Sequence, residues 1–322
     1  VSGRWLAAKA AGALVTLAFV ILFNFFLFRV MGDPTTQLAR LPQATPQEIE
    51  QLRHDYGLDK PVLGQFADYV GDTARLDLGI SQRSRRPVWD EIKDALPWTL
   101  LLVGTGTLLA TLIGSWMGVV AATKRGRKTD SNLLGFSLFT YSAPEYWIGI
   151  ILILVFAVWI PIFPSGLQMT PGKDFSSWFA QAGDVAEHLI LPATAMTLML
   201  LGQYFLIMRS SMVDVLTEDF IAVKRATGLP WDRVVRRHAV PNALLPLVTL
   251  SAIQFGAVVG GAITIETIFS WPGLGQLSFQ AIQDKDFPVL QGTFLVFSAA
   301  VIVANLLADC LYFYLDPRVQ SS

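Results

Sequence analysis

Cysteine and histidine, the residues most used for nucleophilic and metal chemistry, are few in this 322-residue chain, and they lie far apart. Cys310 is the single cysteine, so no intrachain disulfide forms, and His54, His188 and His238 sit in separate segments, which argues against a Cys/His metal site. Neither HExxH nor a convincing Ser/His arrangement is present, so a membrane hydrolase has no sequence support. No GxxxxGK[ST] or other phosphate-cradling glycine loop occurs, so the chain is not expected to bind or hydrolyse ATP. What does concentrate is positive charge. "AVKRATGLPWDRVVRRHAVP", residues 222–241, carries Lys224, Arg225, Arg233, Arg236 and Arg237 between two long apolar runs.

The elements that position this segment follow from composition. With 53% hydrophobic residues, 15% charged and a mean hydropathy of +0.49, the chain is too apolar for a soluble domain of this length and reads as an all-α integral membrane protein. A crossing needs about 20 mostly apolar residues. On that criterion six spans are expected, near 9–31, 97–122, 132–162, 187–209, 243–268 and 289–314. The first continues through "ALVTLAFVILFNFFLF" without a small-residue cleavage site and reads as an uncleaved anchor. The third is longer than one straight crossing, and Pro144 within "SAPEYW" is expected to kink or tilt it.

Lys124, Arg125, Arg127 and Lys128 fill one short connection, and Arg209 joins the five basic residues of 222–241, whereas 163–186 and 269–288 hold only Lys173 and Lys285. The positive-inside bias therefore places the basic loops and both termini in the cytoplasm. Residues 1–31 form the amino terminus and first span, 32–96 an external cap, and 97–322 the remaining spans with a cytoplasmic loop at 210–242. In the cap, Thr45, Pro46, Glu48 and Gly57 supply start and stop signals for one helix. A second is expected from Pro61, with Leu63, Phe66 and Val70 on one face.

Small residues recur every fourth position at Gly106, Ala110, Gly114, Gly118 and Ala122, and again at Ala252, Gly256, Gly260 and Thr264, a pattern that permits close helix packing. Polar groups at membrane depth are costly in lipid and are expected to face protein or water. Asn24, Asn305 and Asp309 are among them, and Glu145, Gln203, Gln254 and Glu266 are the candidates for a translocation path or gate.

The basic segment parses as helix, tight turn, helix. Glu218 and Asp219 open the first helix, Lys224 and Arg225 close it, Gly228 takes a left-handed stop, and Pro230 opens the second. Phe220, Val223 and Thr227 share one face of the first helix; Val234, Val235 and His238 share a face of the second, opposite Arg233, Arg236 and Arg237. A DNA-binding helix-turn-helix has this outline, but a unit tied into the bilayer on both sides has poor reach to DNA. No nucleic-acid partner is expected.

The spacing resembles the EAA loop of ABC importer permeases, Glu-Ala-Ala, three residues, Gly, nine residues, Ile-x-Leu-Pro. Gly228 matches the glycine, Val240 approximates the leucine and Pro241 the proline; Ala222, Val223 and Lys224 stand for Glu-Ala-Ala and His238 for the isoleucine. "GDP" at 32–34, "GLDKPVLGQF" at 57–66, "LDLGIS" at 76–81, "DFIAVKRATG" at 219–228, "NALLP" at 242–246, "ETIFSWPGLG" at 266–275 and "LADCLYFYLDPRV" at 307–319 resemble the oligopeptide/dipeptide branch, in order along nearly the whole chain. That branch usually has Ala at the position of Lys224 and Lys at that of Thr227.

The resemblance implies the type I importer bundle with its cap, in a bacterial cytoplasmic membrane. It implies a peptide permease working with a second permease, one or two cytoplasmic ATPase subunits that carry ATP and Mg, an external solute-binding protein and surrounding lipid. Phe220, Ala222, Val223, Lys224, Arg225, Ala226, Gly228 and Pro241 would then dock on the ATPase. Nickel chelates, glutathione and other peptide-like solutes are alternative cargoes within the branch. An ion-coupled secondary transporter is the alternative of another class, although no inverted repeat is evident.

Overall fold

The computed structural model describes residues 3–31, 60–244, 246–247 and 262–315. Regular structure among them is helical, apart from one isolated bridge between Ile80 and Pro87. The described residues form two compact units, those within 98–276 and 303–315 and those within 3–97 and 277–302.

In the larger unit the spine is α6, Trp178–Leu216, which starts where the Ser177 side chain accepts the Ala180 N–H at 3.3 Å. Its Leu200, Leu201, Tyr204, Phe205, Met208 and Met212 are all buried. Against it runs α3, Val88–Thr123, and here the fourfold spacing of small residues acquires a cause. A Cβ on Gly106 would come within 2.6 Å of Met196, one on Gly114 within 2.8 Å of Tyr204, and one on Gly118 within 2.8 Å of Met208. Side chains at these positions would push the two backbones apart. The stripe is thus spent on packing inside one chain. The second stripe falls, except for Thr264, outside the described residues.

The bend expected in the third span is present at Pro144 and is sharper than a kink. Two helices, α4 (Lys128–Ser142) and α5 (Glu145–Ile153, continuing as a wider π turn over Leu154–Trp159), meet at 100°. Proline crowds the residue before it out of helical geometry, and Ala143 accordingly takes ψ 136° and Pro144 ψ 133°. What the sequence presents as a kink is a full break. Gly202 of α6 receives α4, its missing side chain leaving room for the Ser137 carbonyl 2.6 Å from where a Cβ would stand.

Helices longer than a single crossing are the rule here: α3 and α6 overrun the expected second and fourth spans at their starts, and α6 at both ends. α10, Ile263–Ile268, is the described end of the expected fifth span, whose middle lies outside the described residues. The sixth is α12, Phe287–Leu315, preceded by α11, Leu274–Asp284. Four helices, α1 included, are long and apolar enough to cross a membrane among the described residues, or five with the broken pair as one span.

In the smaller unit α1, Gly3–Met31, meets α2, Val62–Ala74. The expected apolar face of α2 is corrected: Leu63 is 83% exposed and Val70 is exposed, while Gln65 is buried. Phe66 and Tyr69 instead pack on Phe25 of α1, with centroids 5.3 and 5.6 Å away. Asn24 of α1, fully buried, explains the choice of face. Its amide donates to the Tyr69 hydroxyl at 3.0 Å and to the Gln291 carbonyl at 3.1 Å, and a polar contact of that kind in an apolar setting fixes helix rotation. The expected helix opened by Thr45 lies outside the described residues.

Candidate functional site: a braced loop and two buried clasps

The segment that follows α6 folds as helix, turn, helix. Glu218, in extended geometry (ψ 146°), stands at the position just before α7, Asp219–Ala226, without a side-chain capping hydrogen bond, and Asp219 opens the first turn. Thr227 ends the helix and Gly228 turns with φ +82°, a left-handed geometry that costs a residue with a side chain about 1 kcal/mol or more. Pro230 then caps α8, Trp231–Val234, which runs through a π turn at Val235–Ala239 into α9, Val240–Ala243.

Burial divides this loop cleanly. Ile221, Val234, Val235 and Ala239 point inward, whereas Phe220, Ala222, Val223, Arg225, Ala226, Gly228 and Pro241 are exposed and Lys224 is half-buried. Thr227 is exposed with Phe220 and Val223, and Arg233, Arg236 and Arg237 face away from the buried valines. The Arg225 guanidinium lies 5.2 Å from the Trp231 ring, so a cation–π contact closes the turn across Gly228. The product is a short, braced helix presenting apolar side chains and positive charge outward.

The base of the loop is tied twice. The Ser211 hydroxyl donates to the Ala243 carbonyl at 2.9 Å, joining the last turns of α6 to the end of α9. Two residues earlier, Arg209 Nε and one terminal guanidinium nitrogen donate to the two oxygens of Asp130 at 2.7 and 2.9 Å, a two-pronged ion pair with the carboxylate 7% exposed. The same carboxylate accepts the Gly126 N–H at 3.0 Å. Sequence reasoning missed this pair. The signal was there, in that Asp130 is the lone acid of the basic stretch 124–130.

Glu266 sits elsewhere and has another job. It is fully buried; Oε1 accepts the Thr99 hydroxyl at 2.6 Å, and Oε2 accepts the N–H groups of Gly275 and Gln276 at 2.7 and 3.0 Å. Thr99 in turn accepts the Leu274 N–H at 2.8 Å, so the pair caps α11. Trp271 locks the intervening turn, its indole donating to the Trp98 carbonyl at 2.9 Å. A Cβ on Gly273 would collide with the Glu266 carboxylate, and one on Gly275 would come within 2.6 Å of Ile263 Cα, which accounts for both glycines of "ETIFSWPGLG".

A second clasp stands in the smaller unit. Asp286, 2% exposed, accepts the Ser81 hydroxyl at 2.6 Å and the Arg83 N–H at 3.1 Å, while Arg83 pairs with Asp284 at 2.5 Å. "LDLGIS" is the sequence of the turn so held, with Gly79 at φ +83°. Of the other candidates, Glu145 is half-buried in the first turn of α5 directly after the break, and Gln203 is half-buried on α6. Gln254 lies outside the described residues. Among the described residues no group of three or more His, Cys, Asp or Glu is placed to hold a metal ion.

Residues 110–321 match the model of the family described as "Binding-protein-dependent transport system inner membrane component", and residues 3–103 match that of its amino-terminal region. The dipeptide transport system permease protein DppB of Escherichia coli (strain K12) is 37% identical over 311 residues, 92% of each chain. The glutathione transport system permease protein GsiC of Escherichia coli O6:H1 is 36% identical over 316 residues, 97% of each chain. An inward-facing structure of the MetNI methionine ABC transporter superposes with a TM-score of 0.58 at 16% identity, over 70% of this chain and 96% of that one, which establishes the ABC type I importer permease fold. With an EAA-like loop at 220–241 and two of the branch motifs, LDLGIS and ETIFSWPGLG, closed into clasps, this chain belongs to the inner-membrane components of binding-protein-dependent transport systems, among the oligopeptide/dipeptide-type ABC permeases.

Proposed function

We propose that this chain is the peptide-translocating permease subunit of an ATP-driven uptake system and that its loop 210–242 docks on a cytoplasmic ATPase. The observation that carries the reading is the outward face of α7, where Phe220 and Val223 are 38% and 59% exposed beside Arg225 on a helix braced at Gly228. Exposed apolar side chains on a rigid polar loop are suited to a protein groove, and nucleotide-driven closure of that groove would lever the spans between inward-facing and outward-facing states.

A second permease, one or two ATPase subunits carrying ATP and Mg, and an external solute-binding protein complete the assembly. Arg233, Arg236 and Arg237 then lie against anionic lipid or acidic ATPase residues. The cargo is a di- or oligopeptide, in line with the dipeptide permease relative; a glutathione-like solute is the second reading, favoured by the equally long match to GsiC. Glu145, after the break, and Gln203 are the path candidates that keep an exposed edge.

The test reconstitutes this chain alone and the full complex in parallel vesicles and supplies either an ion gradient or ATP. Uptake of labelled alanyl-alanine only by the full complex, only with ATP, and lost when the ATPase is disabled, is the expected result. Gradient-driven uptake by the single chain would make it a secondary transporter instead. Sidedness is checked separately: single cysteines at Lys128 and Arg236 should resist an impermeant thiol reagent in intact cells, and one at Lys285 should react.

A further inference from the structure

We infer that the Asp130–Arg209 pair is the joint through which motion of the loop 210–242 enters α4 and the break beyond it. The inference rests on the docking role proposed for that loop and names the residues that pass its motion on.

Three observations converge on the joint. The loop closes on itself at Ser211 and Ala243, so a force on α7 moves its two ends together rather than opening it. The last turns of α6 are held from one side by α3, where the missing side chain of Gly118 brings the α6 backbone so near that a Cβ would stand 2.9 Å from the Arg209 nitrogen. On the other side they are held by the two-pronged pair with Asp130, in the first turn of α4. A two-pronged guanidinium–carboxylate contact resists both sliding and rotation, unlike a single hydrogen bond or a Lys point charge. The Gly126 N–H on the same carboxylate carries the 124–127 turn with it.

From Asp130 the path is a rigid rod. α4 is 15 residues long, and at 1.5 Å per residue it spans about 22 Å before the break at Ala143 and Pro144. A rotation that enters at Asp130 is carried along this rod to Ser142, beside the second contact with α6, where Ser137 and Tyr141 meet Gly202. Beyond the break stands Glu145, one of the path candidates. Arg209 and Asp130 touch neither cargo nor nucleotide in this scheme; they are positioning residues.

The test uses the full complex, with Cys310 replaced by serine and a reporter thiol at Ser142→Cys. Three quantities are read: copurification of the ATPases, ATP hydrolysis, and the change in reporter reactivity between nucleotide-free and ATP-trapped states. Asp130→Asn and Arg209→Lys should keep the ATPases bound and hydrolysing while the nucleotide-dependent change at Ser142→Cys shrinks about tenfold, within the usual range of coupling between sites. Asp130→Glu, which keeps the charge and both oxygens, should restore most of it.

An undiminished response in Asp130→Asn overturns the joint, as does a reporter that ignores nucleotide in the unsubstituted background. Loss of the ATPases from both Asp130→Asn and Arg209→Lys also overturns it, since the pair would then serve folding alone. Failure of the unsubstituted complex to take up labelled alanyl-alanine, with the Ser142→Cys response intact and sensitive to Asp130→Asn, would strike the peptide reading and leave the joint supported.

Discussion

At 266–276 both carboxylate oxygens of a glutamate are consumed inside the chain, whereas at 219–241 apolar and charged side chains alike face outward. Each stretch sets a tryptophan among glycine and proline, and candidate functional residues are read from both by sequence alone. The difference lies in where the polar groups find partners. Glu266 is 0% exposed and caps α11, so its environment is already complete. Phe220 and Val223, by contrast, hold apolar surface that nothing among the described residues covers, and Gly228 and Arg225 brace the helix that presents them. A buried acid in a membrane protein is thus evidence of function only after its hydrogen bonds have been traced.

Substitutions separate the two regions by what they damage. The largest effect is expected at Glu266→Ala, which strips an acceptor from the Thr99 hydroxyl and from the Gly275 and Gln276 N–H groups. Each buried donor left unmatched costs roughly 1–3 kcal/mol, so the purified chain should melt well below the parent in a detergent thermal-shift assay. An unchanged melting point would place Glu266 back among the path residues and erase the contrast.

Gly228→Val comes next, at about 1 kcal/mol for a left-handed residue with a side chain. Its spans should still insert, but the ATPases should fail to copurify because α7 is re-aimed. An intact, transporting complex would show that the turn tolerates another geometry.

The smallest effect on stability belongs to Phe220→Ala and Val223→Ala, since exposed sites usually stay within about 0.5 kcal/mol of the parent. Both should nevertheless weaken ATPase association in a pull-down titration. Should association survive both changes, the outward face of α7 would lose its meaning as a docking surface.

Much of this architecture can be read without coordinates because its causes are local. Apolar runs longer than the bilayer core set the positions of α1, α3, α6 and α12. Glycine and proline chemistry set the turn at Gly228, where φ is +82°, and the start of α8 after Pro230. Even the small-residue stripe at Gly106, Gly114 and Gly118 announces a close helix neighbour.

What the stripe leaves open is which helix, and the same holds wherever two distant stretches must meet. Asp130 and Arg209 lie 79 residues apart, Thr99 and Glu266 167, and Ser81 and Asp286 205. No periodicity or cap signal links such positions, because the energy of each pair arises only when packing removes water from both partners at once. The face of α2 is decided in the same way, by Phe25 and Asn24 of α1 rather than by the spacing of its own apolar residues. Pro144 ensured that the third span would not run straight, as a missing N–H and a crowded neighbour must. The 100° between α4 and α5 came from their neighbours: α4 is fitted to Gly202 of α6, and α5 lays Gly149 against Ile268 and Phe269. Local chemistry therefore determined where helices begin, end and break, and tertiary structure decided which buried charges hold the fold and which exposed side chains remain for a partner.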